Sequence, residues 1–149
     1  MTNINILSRV LREGYGPGAW HGADIKAAIS GVTEDQAFDR PGPGRHKIAE
    51  VALHHAYYVH SVRGRLASPT PEAFPLPGDD WFELEAGGRF SWDDVRRVLE
   101  VQYGRLADLL NDLGAGKSTP LLDDDGALEV ILGITCHSAY HAGQIQLIK

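Results

Sequence analysis

Apolar positions recur at three- and four-residue spacing along most of the chain, the period of helices with one buried face. Ile4, Leu7, Val10 and Leu11 mark an opening helix reaching about Arg12, which breaks at Gly14-Tyr-Gly-Pro-Gly18. A short helical stretch is predicted over about Ala23 to Ile29, and Thr33-Glu-Asp-Gln36 fits a capping box that opens one further turn. Beyond the rigid loop Pro41-Gly-Pro-Gly44, a long helix is expected from about His46 to Leu66. Its apolar stripe is Ile48, Val51, Ala52, Val59, Val62 and Leu66. Residues 68–90, rich in Pro, Gly and acids, read as one extended connection, a crossover or site rim. Ser91-Trp-Asp-Asp94 caps a third long helix to about Leu113, with Val95, Val98, Leu99, Leu106, Leu109 and Leu110 inward. Asp123-Asp-Asp-Gly126 places negative charge before a fourth, from about Ala127 to the end. No alternating strand pattern and no internal repeat interrupts this. The expected fold is all-α, an antiparallel-type four-helix bundle with one long crossover connection and essentially no sheet.

The 149 residues suffice for one domain, 1–149, that closes its own core without staples. A single cysteine excludes an internal disulfide framework. The opening Met1-Thr-Asn-Ile-Asn-Ile6 lacks the basic and apolar regions of a signal peptide, and no apolar run approaches a membrane span. A cytoplasmic protein without membrane contact is the expectation. A net charge of -6, with Arg63, Arg65, Arg96 and Arg97 scattered among acids, argues against nucleic-acid binding.

Two motifs imitate known sites and fail on context. Gly14-Tyr-Gly-Pro-Gly-Ala19 fits a dinucleotide fingerprint superficially, but it follows a helix rather than a strand. Asp123, Asp125 and Gly126 mimic part of a calcium loop whose first and twelfth ligand positions would be Leu121 and Leu132. Those acids are helix-capping charge. Cys136 adjoins His137, yet neighbouring helix positions diverge by about 100°, and a buried, inert thiol is expected.

The chemistry concentrates in Thr135-Cys-His-Ser-Ala-Tyr-His-Ala-Gly-Gln-Ile145. Four helical residues turn through about 400°, so His137 and His141 share a face one turn apart and can converge on one metal ion. Val130, Ile134, Ile145 and Ile148 project to the same side, so both rings face a core, where a polar ring needs a partner. A third ligand must come from elsewhere, and the second long helix offers His54 and His55, with His46 and His60 nearby. Helical projection slightly favours His55, near the middle of the stripe, over His54 at its edge beside Val51 and Tyr58. Spacing leaves the two open.

Leu53-His54-His55-Ala56-Tyr57 after Ile48-Ala49-Glu50, together with His137-Ser-Ala-Tyr-His141-Ala-Gly-Gln-Ile145, resembles the DinB/YfiT-like superfamily of metal-binding four-helix bundles. Trp20-His21-Gly22, the run from Arg40 to Glu50 and Phe90-Ser-Trp-Asp-Asp-Val95 fit the same pattern, so the resemblance covers nearly the whole chain. It implies that His54, His137 and His141 are the metal ligands. His55 stands where such proteins usually have an apolar residue, and Cys136 where a small one is commonest. The resemblance further implies one divalent ion, zinc or nickel most often and iron or manganese in other cases, and a homodimer.

Three imidazoles plus solvent leave open coordination positions, suited to lowering the pKa of a bound water or thiol or to polarising a substrate oxygen. Some relatives implied by the resemblance are thiol S-transferases and others resemble metal-dependent hydrolases. The expected function is therefore a metal-dependent enzyme on a small molecule, such as transfer of a low-molecular-weight thiol. A hydrolase, or a non-catalytic metal-binding stress-response dimer, is the alternative. Among other polar residues, Gln144 is placed to orient a ligand or water or to make a helix–helix hydrogen bond, and Glu50, one turn before His54, to accept its free N–H or to lie on a solvent face. His21 and Trp20 are candidates for the pocket mouth or for simple packing, and Tyr58 and Tyr140 for core or interface aromatics.

Overall fold

All but one of the helices begin where a polar side chain satisfies an N–H of the first turn that has no partner within the helix. In the computed structural model, which describes residues 3–149, Asn3 caps α1 (Ile4–Tyr15) and Asp24 caps α2 (Ile25–Ile29). Thr33 and Gln36 form the expected capping box before α3 (Glu34–Phe38). The Glu50 carboxylate accepts from the Lys47 backbone N–H at 3.1 Å where α4 (Ile48–Leu66) starts. Ser91 and Asp94 cap each other's backbone at the start of α5 (Trp92–Gly114). Asp123 accepts from the Gly126 N–H at 2.9 Å ahead of α6 (Asp124–Ile148), so the calcium-like run is a helix cap.

The apolar stripes close into one core. α4 packs against α5 and α6, and α1 packs against the same two helices, giving an all-α four-helix bundle. Leu7, Leu53, Val59, Leu99, Leu106, Leu110, Ile131 and Ile145 are fully buried at its centre. α2 lies on α6 and α3 on α4. Gly14 permits the tightest crossing: a Cβ there would stand 2.7 Å from Ser138 Cβ, so α1 could not sit this close to α6 with any side chain at that position.

Some details depart from the pattern reading. α1 continues to Tyr15 and α6 begins at Asp124, because apolar spacing does not mark the polar first or last turn of a helix. A two-stranded antiparallel ribbon also forms, β1 (Ala67–Ser68) with β2 (Thr119–Pro120), pairing Ala67 with Pro120 and Ser68 with Thr119. Two-residue strands are too short to show alternation. Among the described residues no helix is long and apolar enough to cross a membrane.

The connection from Pro69 to Phe90 is held at both ends. Near its start, Glu72 is bonded by Arg63 at 2.9 Å and by Arg105, and the Arg63 hydrogen bond draws the Glu72 carboxyl down to about 2. Near its end, the buried Lys47 Nζ donates to the Leu84 carbonyl at 2.5 Å and to Glu85 Oε1 at 2.9 Å. Phe82 and Leu84 are buried beneath it. These ties hold residues 79–82 across the middle of α4.

Candidate metal centre

α4 delivers His54 and α6 delivers His137 and His141 to one point, where one ring nitrogen from each lies within 4.8 Å of the others. The His137 and His141 Nε2 atoms are 3.0 Å apart, as the one-turn spacing requires. His54 and His141 are buried and His137 is half-buried.

The remaining nitrogens are tied outward. His54 Nδ1–H donates to the Asp80 carbonyl at 2.9 Å, with Asp80 Oδ1 at 3.2 Å. His141 Nδ1–H donates to Gln144 Oε1 at 2.6 Å, and the Gln144 amide donates to the Tyr140 hydroxyl at 3.2 Å. His137 Nδ1 lies 2.7 Å from His55 Nδ1. Metal-binding imidazoles are oriented by such outer hydrogen bonds, which direct the other nitrogen's lone pair at the ion. The indole of Trp81 stacks on His54 at 3.8 Å between ring centroids and on His46 at 3.6 Å, so the His54 ring is held by its face as well as its edge.

The donor set and its arrangement thus fit a divalent cation that favours imidazole nitrogen. A family model described as the DinB superfamily matches residues 19–145, spanning all three histidines. The chain belongs to the DinB superfamily. No curated protein and no solved structure shows significant similarity to this DinB-superfamily chain.

Burial keeps the DinB-superfamily histidines neutral. Desolvation, reinforced by the neighbouring imidazoles, lowers His137 to about 4, and desolvation lowers His141 to about 4. The same cause lowers His54, against the opposing pull of Asp80, and holds the fully buried His55 well below the ordinary imidazole range. Neutral rings present lone pairs, the form a metal requires.

Beside His141 a cavity of about 450 Å³ opens between α6 and the loop before α4. Val51, Trp81 and Ile148 give it apolar walls, while Arg45, His46 and Gln144 bring polar groups to it. A small molecule seated there would reach the face of His141.

His54 joins the triad, whereas His55 is the more deeply buried, with no exposed surface, and stands behind His137. Gln144 takes the orienting position expected of it. Glu50 is neither solvent-facing nor a partner of His54: its buried carboxylate pairs with Arg40 at 3.2 Å and accepts from the Leu84 N–H at 3.4 Å. Helix geometry explains this, because Glu50 serves the first turn of α4 while the His54 ring points toward the connection. His21 contacts the Glu13 carbonyl at 2.6 Å and Trp20 is 93% exposed, and neither lines the cavity beside the triad. Cys136 is exposed rather than buried, since the same 100° step that separates it from His137 turns it outward. Asp80 and Trp81 were not identified from sequence. Asp80, with φ of +59°, is the one non-glycine residue in the left-handed region among the described residues. Its only signal was its place in an acidic connection.

Proposed function

We propose that His54, His137 and His141 hold one divalent metal ion, and that the protein is a metal-dependent enzyme acting on a small molecule by joining a low-molecular-weight thiol to an electrophile. One observation carries the metal reading. Each ring has one nitrogen engaged on an outer partner, the Nε2 atoms of His137 and His141 lie 3.0 Å apart, and a ring nitrogen of His54 lies within 4.8 Å of a nitrogen of each. A bound ion would supply Lewis acidity and would favour the thiolate over the thiol. Three protein ligands rather than four suit a site that leaves a position for a reactant.

The chain's own residues would do the positioning. Asp80 and Trp81 hold His54, and Gln144 holds His141, so the donors need little rearrangement. The cavity walls of Trp81, Val51 and Ile148 suit the apolar part of an electrophile, and Arg45 offers a cation for an anionic group on it. The thiol assignment draws on the resemblance to a superfamily that includes thiol S-transferases. Zinc or nickel leads among the candidate ions, and imidazole donors are compatible with iron as well.

The test is turnover of metal-loaded protein with a panel of thiols and generic electrophiles, beside a panel of esters and amides. Metal-dependent consumption of thiol and electrophile together, lost in His141→Ala, supports the reading. Turnover of esters or amides alone would assign hydrolysis, and none with either panel would leave a binding protein.

A further inference from the structure

Behind the metal centre a chain of polar groups runs through the core from the α6 backbone to His137. Ser138 Oγ lies 2.8 Å from the Ile134 carbonyl, which can only accept, so the Ser138 hydroxyl hydrogen is committed there. The buried Tyr103 hydroxyl touches Ser138 Oγ, whose proton is already spent, so only a Tyr103 O–H donating to Ser138 rather than to His55 puts a proton into that contact. His55 Nε2 lies 2.6 Å from the Tyr103 oxygen and 2.9 Å from Ser138 Oγ. Both oxygens have given their protons away, so His55 must carry its own on Nε2 and donate. That leaves His55 Nδ1 bare, facing His137 Nδ1 at 2.7 Å. A neutral ring has one proton.

From this directionality we infer that the Ser138–Tyr103–His55 relay fixes the tautomer of His137, forcing its proton onto Nδ1 and leaving Nε2 bare toward His54 and His141. His55 is a positioning residue in this scheme. The anchor of the relay is Ser138, because only its bond to a carbonyl sets the direction of the rest. Gly14 keeps α1 close against it, where a Cβ would lie 2.7 Å from Ser138 Oγ.

The direction makes two outwardly similar substitutions unequal. In Tyr103→Phe, Ser138 Oγ remains within reach of His55 Nε2–H with its own proton still on Ile134, so the tautomer persists. In Ser138→Ala the Tyr103 hydroxyl loses its acceptor and can satisfy its proton only by donating to His55 Nε2. That reverses the relay: His55 then carries its proton on Nδ1, and His137 is driven to the Nε2–H form that cannot donate a lone pair to an ion from that atom.

The inference rests on the proposed metal site for its consequence, but the relay itself is read in metal-free protein. Long-range nitrogen–proton NMR of the imidazoles should show His55 protonated at Nε2 and His137 at Nδ1 in the wild-type chain and in Tyr103→Phe. Ser138→Ala, with helix content confirmed by circular dichroism, should show the reverse and bind zinc about 10- to 100-fold more weakly, the range typical of lost outer-shell partners. Tyr103→Phe should bind zinc close to wild type. His55 protonated at Nδ1 in the wild-type chain would overturn the relay, as would wild-type tautomers persisting in Ser138→Ala. The expected tautomers in a chain that takes up no zinc would uphold the relay and reject the metal site.

Discussion

The Nε2 atoms of His137 and His141 stand 3.0 Å apart while the Nδ1 atoms of both rings are engaged elsewhere, on His55 and Gln144. Two Nε2 atoms at that separation are placed to donate their lone pairs to one cation. Replacing either ring by Ala should therefore remove zinc-dependent stabilisation while helix content stays near wild type. Thermal unfolding with and without zinc checks it: the wild type should gain melting temperature as zinc rises, and neither variant should.

His54 and His55 should separate by phenotype although they are adjacent. His54→Ala takes away a ligand atom but little core, so it should fold and lose metal. His55 has no exposed surface and supports Tyr103, Ser138 and His137, so His55→Ala should cost about 2–4 kcal/mol of stability through the cavity and the polar groups left without a partner. Denaturant titration beside metal analysis gives both readings. Metal retained by His54→Ala and lost by a folded His55→Ala would exchange their roles.

The fold was legible because helical stripes and caps report burial directly: Leu99, Leu106 and Leu110 occupy the core their spacing indicates, and Thr33 caps as its motif indicates. His137 and His141 were legible for the same reason, since one helix sets their distance. His54 needed the family resemblance, because projection onto a stripe ranks residues by burial and so prefers His55. Asp80 and Trp81 were not legible at all. They reach the site from a connection with no periodicity, held in place by Lys47, Glu50 and the Arg105–Glu72 pair through contacts that span tens of residues.

Asp80 orients His54 chiefly through its backbone carbonyl, at 2.9 Å, while its carboxylate also accepts from the Tyr58 hydroxyl at 3.0 Å. Asp80→Gly keeps a backbone able to hold φ of +59° and should weaken zinc binding modestly. Asp80→Val places a β-branched residue in that conformation, at a cost of about 1–3 kcal/mol, and should weaken binding more by displacing the carbonyl. Isothermal titration ranks the pair. Equal, marked weakening in both would assign the effect to the carboxylate, which both variants lack.

The lowered pKa values carry a sign. In the unfolded chain His137 and His141 take up protons near 6.5, whereas in the fold they do so near 4. The unfolded state therefore binds more protons between these values, and the stability of metal-free protein is fully present above about pH 6.5 and declines as pH falls toward 4. Melting temperature of metal-free protein followed downward from neutral pH should drop more steeply than in a chain with both histidines replaced by Ala. Parallel curves would show that the two rings titrate normally.

Metal content per chain tests the central claim most directly. Wild-type protein, prepared without a histidine tag, stripped by chelator and reloaded with zinc or nickel, should retain one divalent ion per chain after dialysis. The chain with His54, His137 and His141 all replaced by Ala should retain none at unchanged helix content. One ion retained by that triple variant, or none by the wild type with either metal, would contradict the account.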